Sequence, residues 1–256
     1  MDQNIWAKPR DIVNIEDCLF YHTMDIPGHG LVKGMWDLRG KEKDYFANVD
    51  FADKNVLELG TASGHLCFAM EKMGARVTAY DLSSKQPWDI VPYADYDYEQ
   101  HIKNRKKHIE KLNNGYWLAH KANNSQAKVV YGTVYDIPEN IGTFDICTFG
   151  AILLHLRDPF LALQNVTKHV QETVIVTEGV ISKMMSVAQW ITGANLIRFL
   201  PNAKKLQPYE TWWNLSPQLI AEYLRILGFP DIHVTYHSQL YNGKKNKMYT
   251  VVGHRR

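Results

Sequence analysis

Cysteine is scarce and poorly spaced for cross-linking. The 256 residues hold three, Cys18, Cys67 and Cys147, with no CxxC pair. A disulfide framework is therefore excluded as the source of stability, and a reducing compartment is expected. Cys67 and Cys147 sit in apolar runs, where a cysteine serves as a small core residue. No uninterrupted apolar stretch approaches the roughly 20 residues needed to cross a bilayer. The opening MDQNIWAKPRDIVNIED has no apolar core of signal-peptide length, so a cytoplasmic location is expected. Charge of one sign is also missing: 29 Lys and Arg against 27 Asp and Glu leave a net +2, which neither demands nor excludes a polyanionic partner. The eleven histidines are scattered without an HExxH pairing, and no metal site is expected. A GxSxG elbow and a P-loop are absent too. Low-complexity tracts and internal repeats do not occur.

What is present is an alternation of short β-rich runs with helical patterns from about residue 55 onward. NVLELG reads as a buried strand and HLCFAMEKMG as the following helix, stopped by Gly74. ARVTAYDL, KVVYG, FDICTFGAIL and TVIVTEG read as four further strands. DPFLALQNVTKHV has helical spacing, with Asp158 as N-cap and Pro159 at the first helical position. Ser216 and Pro217 open QLIAEYLRILGF in the same way, with Gly228 after its last turn. DIHVTYHSQLY and NKMYTVVGH, joined by NGKK, read as a closing hairpin. This order predicts an α/β, doubly wound, mostly parallel sheet ending in an antiparallel hairpin. A chain of this size can bury such a core unaided.

Three segments stand outside the repeat. Residues 1–50 precede the first strand and are expected to form a cap or lid over a domain spanning 51–256. Residues 83–127 and 180–215 are inserts within that domain. The first contains YEQHIKNRKKHIEKLNNGYWLAHKAN, a charged helix or helix pair; the second mixes apolar residues with Trp190, Trp212 and Trp213. Inserts at the carboxyl ends of strands build substrate sites in open α/β sheets, although they also simply cover sheet faces.

The stretch VLELGTASGHL carries the chemistry. Its spacing is not the dinucleotide GxGxxG: Glu58 is followed by small residues at every second position, Gly60, Ala62 and Gly64. A carboxylate at the mouth of such a loop repels a pyrophosphate and attracts a ligand bearing an ammonium, which favours S-adenosylmethionine over NAD. Asp81 ends the next strand, where an acid accepts hydrogen bonds from ribose hydroxyls in NAD and adenosylmethionine sites alike. It discriminates only together with Glu58 and the small-residue loop.

On these residues the sequence resembles the class I S-adenosylmethionine-dependent methyltransferases, over about residues 50–252. The resemblance implies a seven-stranded Rossmann-like methyltransferase sheet, with S-adenosyl-L-methionine as cofactor. It implies Glu58 near the methionine ammonium, with Gly60, Thr61, Ala62 and Gly64 lining the methionine and ribose. Asp81 and the adjoining Leu82 would bind the ribose. Ala62 stands where the middle residue is more usually glycine. GTVYDIP resembles the segment that flanks adenine, which implies roles for Val134, Tyr135 and Asp136; Asp136 also reads as an ordinary turn residue. FDICTFGAILLHLRDP resembles the fourth strand and the loop beneath the methyl group, placing Gly150 there.

FDICTFGAILLHLRDPFLAL and WNLSPQLIAEYLRILGFPDIHV also resemble parts of the bacterial enzymes that modify wobble uridine of transfer RNA with carboxy-S-adenosylmethionine. YHTMDIPGHGLVKGMWDLRG resembles the entry segment of related small methyltransferases. Here Leu154 precedes His155, where the tRNA enzymes have tyrosine. Lys33 and Arg39 are the cations that could meet a carboxylated cofactor.

His155 is a candidate general base or a structural hydrogen-bonding group; His22 and Asp25 are second candidates for the base. Tyr21, Trp36, Arg39 and Trp213 are candidate substrate contacts, or packing groups of the inserts. Methyl transfer to an oxygen or nitrogen of a small metabolite is the leading expectation. RNA modification, drawing on NRKKH and NGKKNK, is a second reading. A non-catalytic adenosylmethionine-binding subunit is a third.

Overall fold

The computed structural model describes residues 4–181 and 191–255. Trp190, noted above in the second insert, lies outside the described residues. Among the described residues the main sheet has eight strands: β3 (Trp36–Asp37), β4 (Asn55–Leu59), β5 (Arg76–Asp81), β6 (Lys128–Tyr131), β7 (Phe144–Gly150), β8 (Val170–Gly179), β11 (Asp231–Tyr241) and β12 (Lys244–His254). Their order is β3-β11-β12-β8-β7-β4-β5-β6. The five strands β4 to β8 are mutually parallel, and the hairpin β11–β12 pairs antiparallel onto β8. Two small antiparallel ribbons stand apart: β1 (Met24–Ile26) with β2 (Gly30–Val32), and β9 (Ile197–Phe199) with β10 (Trp213–Leu215).

The expected architecture holds, with one addition. Seven strands follow from the alternating pattern; the eighth, β3, comes from the N-terminal segment and pairs Trp36 with Tyr241 and Asp37 with Leu240. At the opposite edge, Trp6 bridges Val130, and the Ala7 amide donates to the Val129 carbonyl at 2.8 Å. Residues 6–37 therefore run from one edge of the sheet to the other and cover both.

Helices pack on both faces. α2 (His65–Lys72) and α3 (Glu99–Ala122) cover one, and α4 (Pro159–Thr167) and α5 (Pro217–Ile226) the other; a one-turn helix, α1 (Glu42–Tyr45), precedes β4. Phe46, Phe51, Met70, Tyr116 and Trp117 fill the first layer, while Leu163, Ile220, Leu224 and Phe229 fill the second. The strands between them are buried on both faces, and so read as near-continuous apolar runs. No helix among the described residues is long and apolar enough to cross a membrane.

Local signals set the boundaries. Asp158 Oδ1 accepts from the Leu161 amide at 2.9 Å, and Ser216 Oγ from the Leu219 amide at 3.2 Å, both N-caps followed by proline. Gly74 and Gly228 end their helices in Schellman turns, with Ala75 donating to Met70 O and Phe229 to Leu224 O. Asn242 and Gly243 both take positive φ, as a two-residue hairpin with the sheet's own twist requires.

The charged segment of the first insert forms one helix, α3, of 24 residues rather than a pair. Its C-terminal half buries Tyr116, Trp117 and Ala119. Its middle meets the N-terminal segment at Gly115, where an added Cβ would lie 2.4 Å from the Leu19 carbonyl oxygen. Gly115→Ala is expected to lower stability by about 1–3 kcal/mol, because the obstacle is backbone. Thermal unfolding should show it as a fall of roughly 2–4 °C per kcal/mol at this size.

Candidate active site

The parallel strands place their carboxyl ends on one side, and strand order reverses at β4, which has β5 on one side and β7 on the other. Ligands of open α/β sheets bind at such a switch point. A cavity of about 340 Å³ opens there. It is walled by the ends of β4, β5 and β7, the loop after β6, the N-terminal segment, α3 and the second insert.

The loop 60–64 forms its floor. Gly60 has φ +79°, and a Cβ on it would lie 2.4 Å from Ile152 Cγ2. Ala62 also takes positive φ, +51°, the conformation the more usual glycine would adopt without strain. Its amide donates to Asp81 Oδ2 at 2.6 Å, while the Leu82 amide donates to Asp81 Oδ1 at 2.7 Å. Asp81 thus ties the glycine loop to the end of β5 and still lines the cavity. Burial is the main influence on its carboxyl and raises the pKa; the two amides and Arg105 oppose it.

Glu58 is 3 % exposed, and its Oε2 has no hydrogen-bond partner. Burial, with Asp81 and Glu71 as further charges, pushes its pKa up to about 8 against the contact with Thr61. A cation in the cavity would relieve that carboxylate and restore its ordinary ionisation. The N-terminal segment closes over this end: Ser63 Oγ accepts from the amides of Tyr21 and His22 at 3.1 and 3.4 Å.

Of the expected cofactor residues, Glu58, Gly60, Ala62, Asp81, Leu82, Val134, Tyr135 and Gly150 line the cavity. Thr61 and Gly64 do not: Thr61 is buried beneath the loop, and Gly64 caps α2 at φ +90°. Asp136 is exposed and outside the wall, and its amide closes a turn onto Thr133 O at 3.1 Å. The acid beside Tyr135 is Asp89, which sequence reasoning missed. Its Oδ2 accepts from the Tyr135 hydroxyl, and from the Arg157 amide at 2.6 Å.

Of the expected catalytic residues, His155 and His22 line the cavity and Asp25 does not. Asp25 projects into solvent from β1 and pairs with Arg39 at 2.9 Å. Among the expected substrate contacts only Tyr21 reaches the cavity. Arg39 is held by Asp25 and Asp37, and Trp36 stacks on Tyr241 and donates to the Tyr21 hydroxyl at 3.2 Å. Trp213 donates to Arg157 O at 3.2 Å on β10. Trp36 and Trp213 stand on strands at a sheet edge and in a ribbon, and Arg39 lies just beyond β3; none of the three lines the cavity.

Four groups on the open side were not anticipated: Arg105 and His108 on α3, Trp88, and Glu210 from the second insert. Glu210 joins the two inserts. Its Oε1 lies 3.0 Å from both Trp88 Nε1 and His101 Nε2, and its Oε2 lies 3.0 Å from Arg105 Nε. Its backbone carbonyl accepts from His155 Nδ1 at 2.6 Å. A carbonyl cannot donate, so Nδ1 carries the proton and Nε2 keeps its lone pair.

A family model described as "Methyltransferase domain" matches residues 38–218. The chain belongs to that family. The model thus covers the glycine loop, Asp81, the segment after β6, and both inserts of this methyltransferase. Two solved structures show the same fold at low identity. The N-terminal domain of EvdMO1, crystallised with S-adenosylhomocysteine bound, aligns at 14 % identity and a TM-score of 0.58, over 94 % of this chain and 93 % of that one. An S-adenosylmethionine-dependent methyltransferase from Methanosarcina mazei aligns at 14 % identity and 0.53, over 86 % and 98 %. No curated protein sequence matches. The class I S-adenosylmethionine-dependent methyltransferase expected from VLELGTASGHL and Asp81 is the family and fold found.

Proposed function

We propose that this chain binds S-adenosylmethionine at the β4–β7 switch point and moves its methyl group to an oxygen or nitrogen of a small molecule. The carrying observation is the pair of acids at the loop. Glu58 offers an unpartnered buried carboxylate oxygen, which suits an ammonium, and Asp81 holds the loop while lining the cavity. Asp81 and Leu82 would hold the ribose. The wall at Thr133, Val134 and Tyr135 would flank the adenine, where Gly132 packs so closely on Tyr80 that a Cβ would lie 2.0 Å from its hydroxyl. That EvdMO1 carries S-adenosylhomocysteine in the same fold supports the choice of ligand.

When bound, the sulfonium supplies a methyl carbon made electrophilic for in-line displacement. The protein's part is to orient, exclude water and accept a proton. Tyr21, His22 and the strap they belong to roof the loop end of the cavity. Gly150 sits where a Cβ would approach the Tyr45 hydroxyl to 3.1 Å, so a side chain there would crowd the cavity wall. His155 Nε2 is the proton acceptor when the acceptor atom is a hydroxyl. The cavity of about 340 Å³ has to hold the cofactor, and the aromatic and apolar groups on its open side, Tyr21, Trp88 and Leu156, suit a small acceptor.

Calorimetry on the purified chain tests the assignment. S-adenosylmethionine and S-adenosylhomocysteine should bind at about micromolar strength, near −8 kcal/mol. NAD should bind far more weakly, because the acid at Glu58 stands by the loop where a pyrophosphate would lie. Equal affinity for NAD would sink the reading.

A further inference from the structure

On the open side of the cavity the outer donors of one guanidinium have no partner among the described residues. Asp89 is satisfied by Tyr135 and Arg157, and Glu210 by Trp88 and His101. Arg105 is the exception. Its Nε is ion-paired with Glu210 Oε2 at 3.0 Å, but its two terminal nitrogens make no hydrogen bond among the described residues. A guanidinium presents five donors in a planar fork, so the terminal nitrogens remain open to a ligand in the cavity. His108, one turn further along α3, also lines the cavity with no hydrogen-bond partner among the described residues. The two ends of the cavity are thus opposite in kind. The loop end has an unpartnered carboxylate oxygen at Glu58, and the α3 end has the free terminal nitrogens of Arg105. Between them stand flat or apolar walls, including Tyr21, Tyr45, Trp88 and Leu156.

We propose that Arg105 binds a carboxylate borne by the methyl acceptor, and that the substrates are small aromatic hydroxy acids; this rests on the methyl-transfer reading above. The carboxylate would take the fork bidentately, with Glu210 holding the guanidinium in place, and the flat ring would lie against the aromatic wall. The hydroxyl at the other end would be turned toward His155.

The test is calorimetry on the full chain saturated with S-adenosylhomocysteine, with 2-, 3- and 4-hydroxybenzoate and 4-hydroxycinnamate as probes, each paired with its uncharged methyl ester. At least one acid should bind about tenfold or more tightly than its ester, the effect expected of a charge-assisted fork. In Arg105→Gln that preference should fall to within about twofold, and Arg105→Lys should restore part of it, as a point charge without the fork. S-adenosylhomocysteine affinity should be the same in all three proteins, which also reports that the variants are folded. The proposal is overturned if no acid is preferred over its ester, or if the preference survives in Arg105→Gln. Loss of S-adenosylhomocysteine binding in Arg105→Gln also overturns it, by assigning the guanidinium to the methionine carboxylate. Failure of the unmodified chain to bind S-adenosylhomocysteine would instead remove the methyl-transfer reading itself, a separate result.

Discussion

Asp81→Ala is expected to weaken S-adenosylhomocysteine binding by about a hundredfold. The carboxylate has two tasks, and alanine removes both. It accepts the Ala62 amide at 2.6 Å and the Leu82 amide at 2.7 Å, and so holds the glycine loop against β5. Ala62 sits at φ +51°, a conformation that costs an alanine roughly 1–2 kcal/mol and persists only if something over-determines it. Without Asp81 the loop is free to relax and the floor of the cavity changes shape. The second loss is the acceptor for ribose hydroxyls, and a hydrogen bond to a charged group contributes about 1.5–3 kcal/mol. Two such losses correspond to roughly two orders of magnitude in Kd. Asp81→Asn separates the tasks, because an amide oxygen can still accept one of the two backbone amides. It should fall between the two, and titration calorimetry reads all three. A loss below about threefold in Asp81→Ala would mean that the ligand does not lie on Asp81.

The elements around this residue were legible in the sequence because their determinants are local. The buried parallel strands declare themselves as apolar runs, the helices by their Asp158–Pro159 and Ser216–Pro217 starts, and the hairpin by Asn242–Gly243. The loop is legible for the same reason: positive φ at residues 60, 62 and 64 demands small residues at alternate positions, and the cavity end of β4 carries the acid. The substrate side was not legible, because it depends on helical phase and on contacts far apart in sequence. NRKKH reads as a solvated charge run, and for Lys103, Lys106 and Lys107 it is one. Arg105 escapes only through spacing: Arg105, His108 and Leu112 recur at i, i+3 and i+7, which turns one stripe of α3 into the cavity wall. Glu210 is joined to Trp88, His101 and Arg105 across more than a hundred residues of chain, and no local pattern announces that. The same holds for β3, two residues long, whose place in the sheet is set by Leu240 and Tyr241. The aromatic and charged groups of YHTMDIPGHGLVKGMWDLRG divide by a similar rule. Tyr21 and His22 face the cavity because Ser63 anchors their backbone, whereas Asp25, Trp36 and Arg39 follow the chain outward to the sheet edge.

His155→Ala should lower kcat for a hydroxyl acceptor by about 10²–10⁴-fold, the usual worth of a positioned base. The tautomer is the physical reason. With Nδ1 donating to Glu210 O at 2.6 Å, the ring turns its basic nitrogen away from the protein carbonyl, and the residue lines the cavity. Desolvation by the surrounding walls lowers its pKa most and Arg105 adds to this, while Glu210 opposes. The sign follows directly. Neutral imidazole is the active form, so activity is complete at neutral pH and lost as pH falls through a value below the ordinary 6.5 of histidine. The acid limb of the kcat/KM profile should therefore lie below pH 6.5 and vanish in His155→Ala. His22 is the alternative base in the same cavity, and burial beside His65 decides against it. Its pKa is driven down to about 3, and its Nδ1 is buried without a partner. A base so weak draws little of the proton from an attacking hydroxyl, so the neutral ring serves the roof rather than the proton transfer. His22→Gln should accordingly leave the position of the acid limb where it is, even if the looser roof lowers the rate. An acid limb that follows His22 instead of His155 would exchange the two roles.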